Sequence, residues 1–329
     1  MDDVSVRPSK LIQTELKSRD VDTLTTSHLQ QLRKNLSRSR LAIFPKIPKT
    51  FGETHDVVDK LAIISNKGEN LLSANDRKAN IILFTTSINL SALSEMDQIF
   101  IDGTFYSCSK PFKQVFIIHD LHKNIFMPLA FFLLPDKSSS TYERAFQIIL
   151  ERIGAFNLSF NPSLILADFE KSIHKALNRV FPRSKIIGCR FHLGQSCWRK
   201  IQDLGLAAEY RTNNDLSNFL KIFIGLPLLP VQEVSDCFTD DIMSILPDDK
   251  RVVGFCDYVL ENYIEPNSPF PPEIWAQHSE TTRRTTNNCE SFHSKLNAMF
   301  NSANPNLFQF LEALKSIQTD IFILNFEVQ

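Results

Sequence analysis

At 329 residues with 43% apolar content, the chain is long enough to bury a sizeable core and too apolar for a disordered protein. A net charge of -1 excludes the global cationic field of many duplex-binding proteins, so any attraction to a polyanion has to be local. Six scattered cysteines, Cys108, Cys189, Cys197, Cys237, Cys256 and Cys289, read as reduced intracellular thiols rather than a disulfide framework. The polar start MDDVSVRPSK has no signal-peptide pattern. The longest apolar run, Ile125 to Leu134, contains Pro128 and is too short to span a bilayer, so a soluble chain is expected.

Residues 1–80 read as a basic, helical appendage and linker. A helix is predicted near His28 to Leu41, stopped by IFPKIPK because each proline disfavours helix before it. Between Gln30 and Thr50 stand Arg33, Lys34, Arg38, Arg40, Lys46 and Lys49 with no acid among them. That stretch is either a phosphate-contacting patch or a solvated helix face followed by a proline-bearing linker. A short helix and a turn around Asn66 to Glu69 precede the apolar segment IILFTTS and a serine-rich stretch.

From Gln98 the pattern changes to strands: QIFIDGTFYS, FKQVFIIHDL and IFMPLAFFLL, separated by short polar turns. TYERAFQIILERIGAF has the apolar spacing of an amphipathic helix with Gly154 near its stop. PSLILADF then reads as a strand, EKSIHKALNRVF as a helix stopped by Pro182, SKIIGCRF as a strand and GQSCWRKIQDLGLAA as a helix. The predicted order is βββαβαβα, an α/β core over 81–209 and 284–329. Proline-punctuated helical patterns over 210–283 read as a helical insertion, and one or two amphipathic helices close the chain at Asn288 to Phe300 and Asn306 to Leu324.

Three acids stand at coordinated places. Asp102 ends the first strand of this pattern, Asp168 ends the fourth, and Glu290 sits in the first turn of a late helix. Each has an ordinary explanation. Asp102-Gly103 suits a hairpin turn, Asp168 suits a cap on a helix starting at Phe169, and Asn287 with Glu290 resembles a capping box. Together they are the carboxylates that a pair of hard divalent cations requires, because one acid cannot hold two such ions against their repulsion. His119 and His122 read as turn residues between strands.

The chain resembles the MULE (Mutator-like element) transposases, DDE-type enzymes with an RNase H-like core. The matching pieces are Asp-Gly-Thr-Phe at 102–105, FKQVFIIHD, MPLAFFLLPDKSSSTYERAF, ADFEKSIHKAL leading to the Cys-x-x-His of GCRFHLGQ, and TNNCESFHSKL, in the family's order over roughly 75–325. The resemblance implies an RNase H-like mixed sheet, with the first and fourth strands side by side. It also implies Asp102, Asp168 and Glu290 as catalytic and metal-holding residues, and Mg²⁺ or Mn²⁺ in a two-metal site. The activity implied is cleavage of DNA at element ends and strand transfer to target DNA, in the nucleus, by a homo-oligomer. Residues 1–100 contain no cysteine, so the zinc finger such proteins carry before the core has no counterpart there. The alternative is therefore a domesticated or truncated descendant that binds DNA or protein without catalysis.

Cys189 and His192 match the family's Cys-x-x-His, and Cys289-x3-His293 sits on one face of the Glu290 helix. Four such ligands suit a tetrahedral Zn²⁺. A structural Zn²⁺ is disfavoured because Cys289 and His293 straddle the acid needed for Mg²⁺ chemistry. The expected part of His192 is structural, near the catalytic edge, and that of His293 is to orient Glu290 or to lie on the surface. Arg283 and Arg284 are candidates for phosphate contact or a solvated loop, and Trp198 for base stacking or core packing.

Overall fold

A computed structural model describes residues 8–17, 24–43, 45–122, 125–212, 214–276 and 287–328. The strands are β1 (Leu72–Asp76), β2 (Ile81–Phe84), β3 (Gln98–Thr104), β4 (Gln114–His122), β5 (Ile125–Leu134), β6 (Leu164–Ala167) and β7 (Lys185–Gly188). The helices up to the last strand are α1 (Pro8–Leu16), α2 (Thr26–Ile43), α3 (Phe51–Lys60), α4 (Ser87–Ser94), α5 (Ser139–Gly154) and α6 (Lys171–Val180). After it come α7 (Arg190–Asp203), α8 (Ala207–Tyr210), α9 (Asp215–Ile222), α10 (Val231–Asp236), α11 (Lys250–Val259), α12 (Pro272–Trp275), α13 (Asn287–Ala298) and α14 (Leu307–Val328). No helix among the described residues is long and apolar enough to cross a membrane.

The seven strands form one mixed sheet in the order β1-β2-β5-β4-β3-β6-β7. From Gln98 to Asp203 the elements follow the predicted βββαβαβα order, and β1 and β2 extend the sheet beyond the strand pattern read from the sequence. The chain divides into two compact units: Met1–Met96 with Asp102–Phe160 and Cys289–Gln329, and Asp97–Ile101 with Asn161–Asn288.

In the first unit, β4 and β5 pair antiparallel from Gln114↔Leu134 to His122↔Ile125. Their near-continuous apolar runs are those of strands covered on both faces, and Val115 to Ile118 and Leu129 to Leu134 are buried. Pro128 lacks an N–H, which ordinarily confines proline to sheet edges. Here an interior strand tolerates it because the register slips between Ile118 and His119, so that Ala130 and Pro128 are the successive partners. Leu129, left between them, uses its carbonyl to accept from Thr85 Oγ1 (2.7 Å) and Asn89 Nδ2 (3.1 Å). His119 and His122 belong to β4 rather than to a turn, because the strand continues past the bulge.

Helix α5 is capped by Ser138, whose side chain accepts from the Thr141 N–H, and buries Tyr142, Phe146 and Ile149 along one face. Phe116 of β4 meets Tyr142 and Phe146 at 5.3 and 5.8 Å. From the C-terminal end, α14 places Phe310 edge-on to Phe84 at 6.1 Å, and Gln318 and Asn89 exchange amide hydrogen bonds in the interior.

In the second unit the paired strands run parallel, Phe100 opposite Leu166 and Ala167 opposite Gly188. The described residues from Ala207 to Trp275 contain helical elements and turns without a strand. They share one apolar core with α7, in which Leu193, Cys197 and Ile201 pack with Phe219, Phe238, Phe255 and Trp275. A partly buried polar tie lies beside it: Ser196 Oγ is 2.6 and 2.8 Å from the hydroxyls of Tyr258 and Tyr263.

Candidate active site

Asp102 lies inside β3, not in a hairpin turn, since the strand continues through Gly103 to Thr104 and Gly103 keeps an ordinary backbone angle. Its side chain is 6% exposed. Burying a carboxylate is costly unless polar groups compensate, and here polar groups stand against it. The Gly103 N–H donates to Asp102 Oδ1 (2.7 Å), and His293 Nδ1 stands 3.5 Å from Oδ2. His293 arrives on α13, which is tied down just after β3. Ser107 Oγ donates to Asn297 Oδ1 (2.5 Å), and the Asn304 N–H donates to the Tyr106 carbonyl (2.8 Å). Leu296 is fully buried on the same helix.

Asp168 directly follows β6. It is not the cap of α6: the helix starts at Lys171, with Glu170 in the cap position, because Asp168 Oδ1 is taken by the Phe169 N–H (2.6 Å). His192 Nδ1 stands 3.5 Å from that same oxygen. The side chain is 40% exposed, and Oδ2 has no protein hydrogen bond among the described residues. Beneath it, His174 Nε2–H donates to the Asp168 carbonyl (2.9 Å), fixing the turn between β6 and α6. Burial lowers the pKa of His174 and of His192, against the pull of Asp168 in both cases, so both imidazoles are neutral near pH 7.

The spacing of Cys189-x-x-His192 follows from this geometry. The Cys189 N–H extends the β6–β7 ladder by donating to the Ala167 carbonyl (2.9 Å), its side chain is fully buried, and it occupies the cap position of α7. Three residues on, in the first helical turn, His192 comes up beside the acid that ends β6. Gly188 makes the junction possible, since a Cβ there would overlap the ring of Phe169, with Cε1 at 2.6 Å.

Of the other residues singled out, Glu290 and Cys289 lie on α13 but their side chains are outside the described residues, as are Arg283 and Arg284 altogether. Trp198 packs at 5.1 Å against Tyr210, with the Arg211 guanidinium 5.9 Å from its ring. Arg33, Lys34 and Arg38 are exposed on α2, and the Arg40 side chain is outside the described residues. Three contributors were not singled out in the sequence. His174 was readable as a histidine six residues past the acid. Phe169 and Gly188 carry no local signal, because their fit is a contact between neighbouring strand ends.

Each aspartate stands two residues past the Phe100–Leu166 pair on its own strand, at the carboxyl edge where α/β sheets bind ligands. Each also has a histidine nitrogen 3.5 Å from a carboxylate oxygen. The class is thus an α/β protein with one acid–histidine pair inside β3 and another directly after β6. Residues 98–196, the segment that holds Asp102, Asp168, Cys189 and His192, match the family model of the MULE transposase domain. The match ends short of Glu290. No curated protein matches the chain.

Proposed function

We propose that the chain is the catalytic part of a DDE-type transposase with an RNase H-like core, cutting DNA phosphodiesters and transferring strands with a divalent metal. The observation that carries this reading is the pair of aspartates at matched positions beyond the parallel β3–β6 ladder, each with its own histidine. The order β5-β4-β3-β6-β7 supports the RNase H-like reading, since its first and fourth strands lie side by side. His293 supports Glu290 as third acid: the two positions are three apart on α13 and share a helix face.

The donor chemistry suits the group proposed. Carboxylate oxygens match hard Mg²⁺ or Mn²⁺, and Asp168 keeps an oxygen with no protein hydrogen bond among the described residues. Among the described residues no cluster of three metal-ligating side chains occurs, so the proposed set needs Glu290 to complete it. When bound, two such ions supply the charge that activates the attacking oxygen and steadies the leaving one in an in-line displacement. The protein's own part is positioning. The Gly103 and Phe169 amides each fix one carboxylate oxygen, and His192, whose burial lowers its pKa, stands 3.5 Å from Asp168 without adding a competing positive charge.

DNA as partner, a nuclear location and a homo-oligomer joining two element ends belong to the same proposal. The test is Mn²⁺-dependent nicking and strand transfer on duplex DNA by the full chain. Asp168→Asn should abolish both while leaving the urea unfolding curve in place. Retained activity in that variant refutes the assignment. A non-catalytic descendant, the second reading, is instead supported by wild-type protein that binds DNA yet cuts it with no metal tried.

A further inference from the structure

Helix α6 leads away from Asp168 with an amphipathic sequence, KSIHKALNRV. Ile173, His174, Ala176 and Leu177 are buried, while Lys171, Lys175, Asn178 and Arg179 are exposed. The three cations follow an i, i+4, i+8 spacing, which sets them in a row on one helical face. This face is one wall of an open groove of about 500 Å³, closed on the other side by Asn267 and Pro269, and among the described residues no carboxylate lines it. The opposite wall is held in place by Phe270, whose ring meets His174 at 5.2 Å and Phe169 at 5.3 Å and stacks on Tyr263 at 6.1 Å. The groove therefore has a braced wall, and His174 in its floor is committed to the Asp168 carbonyl.

We propose that this groove binds the phosphodiester backbone of a nucleic acid strand, through residues other than the basic candidates that the sequence offered at 30–50 and at Arg283 and Arg284. The layout of charge argues for a polymer. A site for one phosphate converges its donors on a point, whereas these cations are strung over eight residues, roughly 12 Å of helix. One strand of a duplex presents a phosphate about every 3.4 Å of axis, so the row is long enough for roughly three to four phosphates, at least one for each cation. Asn178 and Asn267 supply neutral donors across the groove, suited to phosphate oxygens and indifferent to base identity. The assignment deepens the reading of the chain as a DNA-processing enzyme, since the row starts three residues past Asp168.

The experiment is titration of the full-length protein with a labelled duplex of arbitrary sequence in EDTA, followed by fluorescence anisotropy over about 50–200 mM KCl. The variant is Lys171→Gln/Lys175→Gln/Arg179→Gln, with Lys171→Arg/Lys175→Arg as the charge-preserving partner and Lys185→Gln, exposed on β7, as a control for general charge. Loss of three phosphate contacts should flatten the slope of log K against log[salt] by about 2.7, so the wild type loses roughly 40-fold more affinity across that range than the triple variant. The arginine pair and Lys185→Gln should keep the wild-type slope. An unchanged slope in the triple variant overturns the proposal, as does displacement of the duplex by inorganic phosphate at matched ionic strength, which would mark a single-anion site. Because the titration is free of metal, a protein that cuts no DNA leaves this inference standing. An unaltered slope defeats it even if the protein proves to be an active nuclease.

Discussion

Two glycines in the same stretch should respond to the same substitution with opposite signs. Gly188 ends β7, and a methyl placed on it would overlap the Phe169 ring. That ring has little room to give, being wedged edge-on against Phe270 at 5.3 Å and Tyr263 at 5.6 Å. Overpacking of this kind costs about 1–3 kcal/mol. Gly194 lies inside α7 with nothing within 4 Å of where its Cβ would be, so alanine there removes only the entropic penalty of a helical glycine, a gain of about 0.5–1 kcal/mol. Urea unfolding of Gly188→Ala and Gly194→Ala should therefore move the midpoint in opposite directions. With an m-value of about 3 kcal/mol/M, a loss of about 2 kcal/mol lowers it by ~0.7 M. Phe169→Leu, introduced into Gly188→Ala, should recover part of that loss, a coupling of about 1 kcal/mol or more in the double-mutant cycle. A Gly188→Ala protein as stable as wild type, or a cycle with no coupling, would show that the ring and the glycine are not in contact and would refute the account of the Asp168 turn.

Acid should destabilise the protein through His119, which is fully buried, stacks on Phe126 at 4.6 Å and has no hydrogen-bond partner for either ring nitrogen among the described residues. Burial, and secondarily the nearby His293, holds its pKa well below the ordinary 6.5, so its neutral form is the folded one. Protons then bind the unfolded chain first, and stability present above pH 6.5 falls as pH drops, by up to ~1.4 kcal/mol per pH unit for this group. His119→Phe should flatten that dependence in urea midpoints measured from pH 7 to 5, and an identical slope would contradict it. In the helical region Phe255 is fully buried, with its ring 4.9 Å from Phe223. Phe255→Ala should cost about 3–5 kcal/mol, visible as a lowered unfolding midpoint; a loss under 1 kcal/mol would mean that this core is not packed as described.

The amino-acid sequence alone determined the succession of elements from Gln98 to Asp203, because the signals are local: apolar runs with polar turns between them, amphipathic spacing from Thr141 to Ile153, and prolines and glycines at the stops. It likewise marked Asp168 directly after β6 and the Cys-x-x-His after the last strand, whereas Asp102, expected to end its strand, lies inside β3. What it left undetermined is nonlocal. LSAND alternates too weakly to announce a strand, and β1 exists because β2 offers a ladder for it. Asp102-Gly103 has turn chemistry, yet hydrogen bonding carries the strand through both residues. Asp168 has capping chemistry, yet the Phe169 N–H claims its oxygen and helix α6 begins later. His119 looked like a turn residue until a bulge opposite Pro128 carried β4 onward into the interior. Local pattern sets what a segment can become, since backbone preference and side-chain period act within a few residues. Which strand lies beside β3, and which histidine faces which aspartate, is decided only when segments distant in sequence bury their apolar faces together.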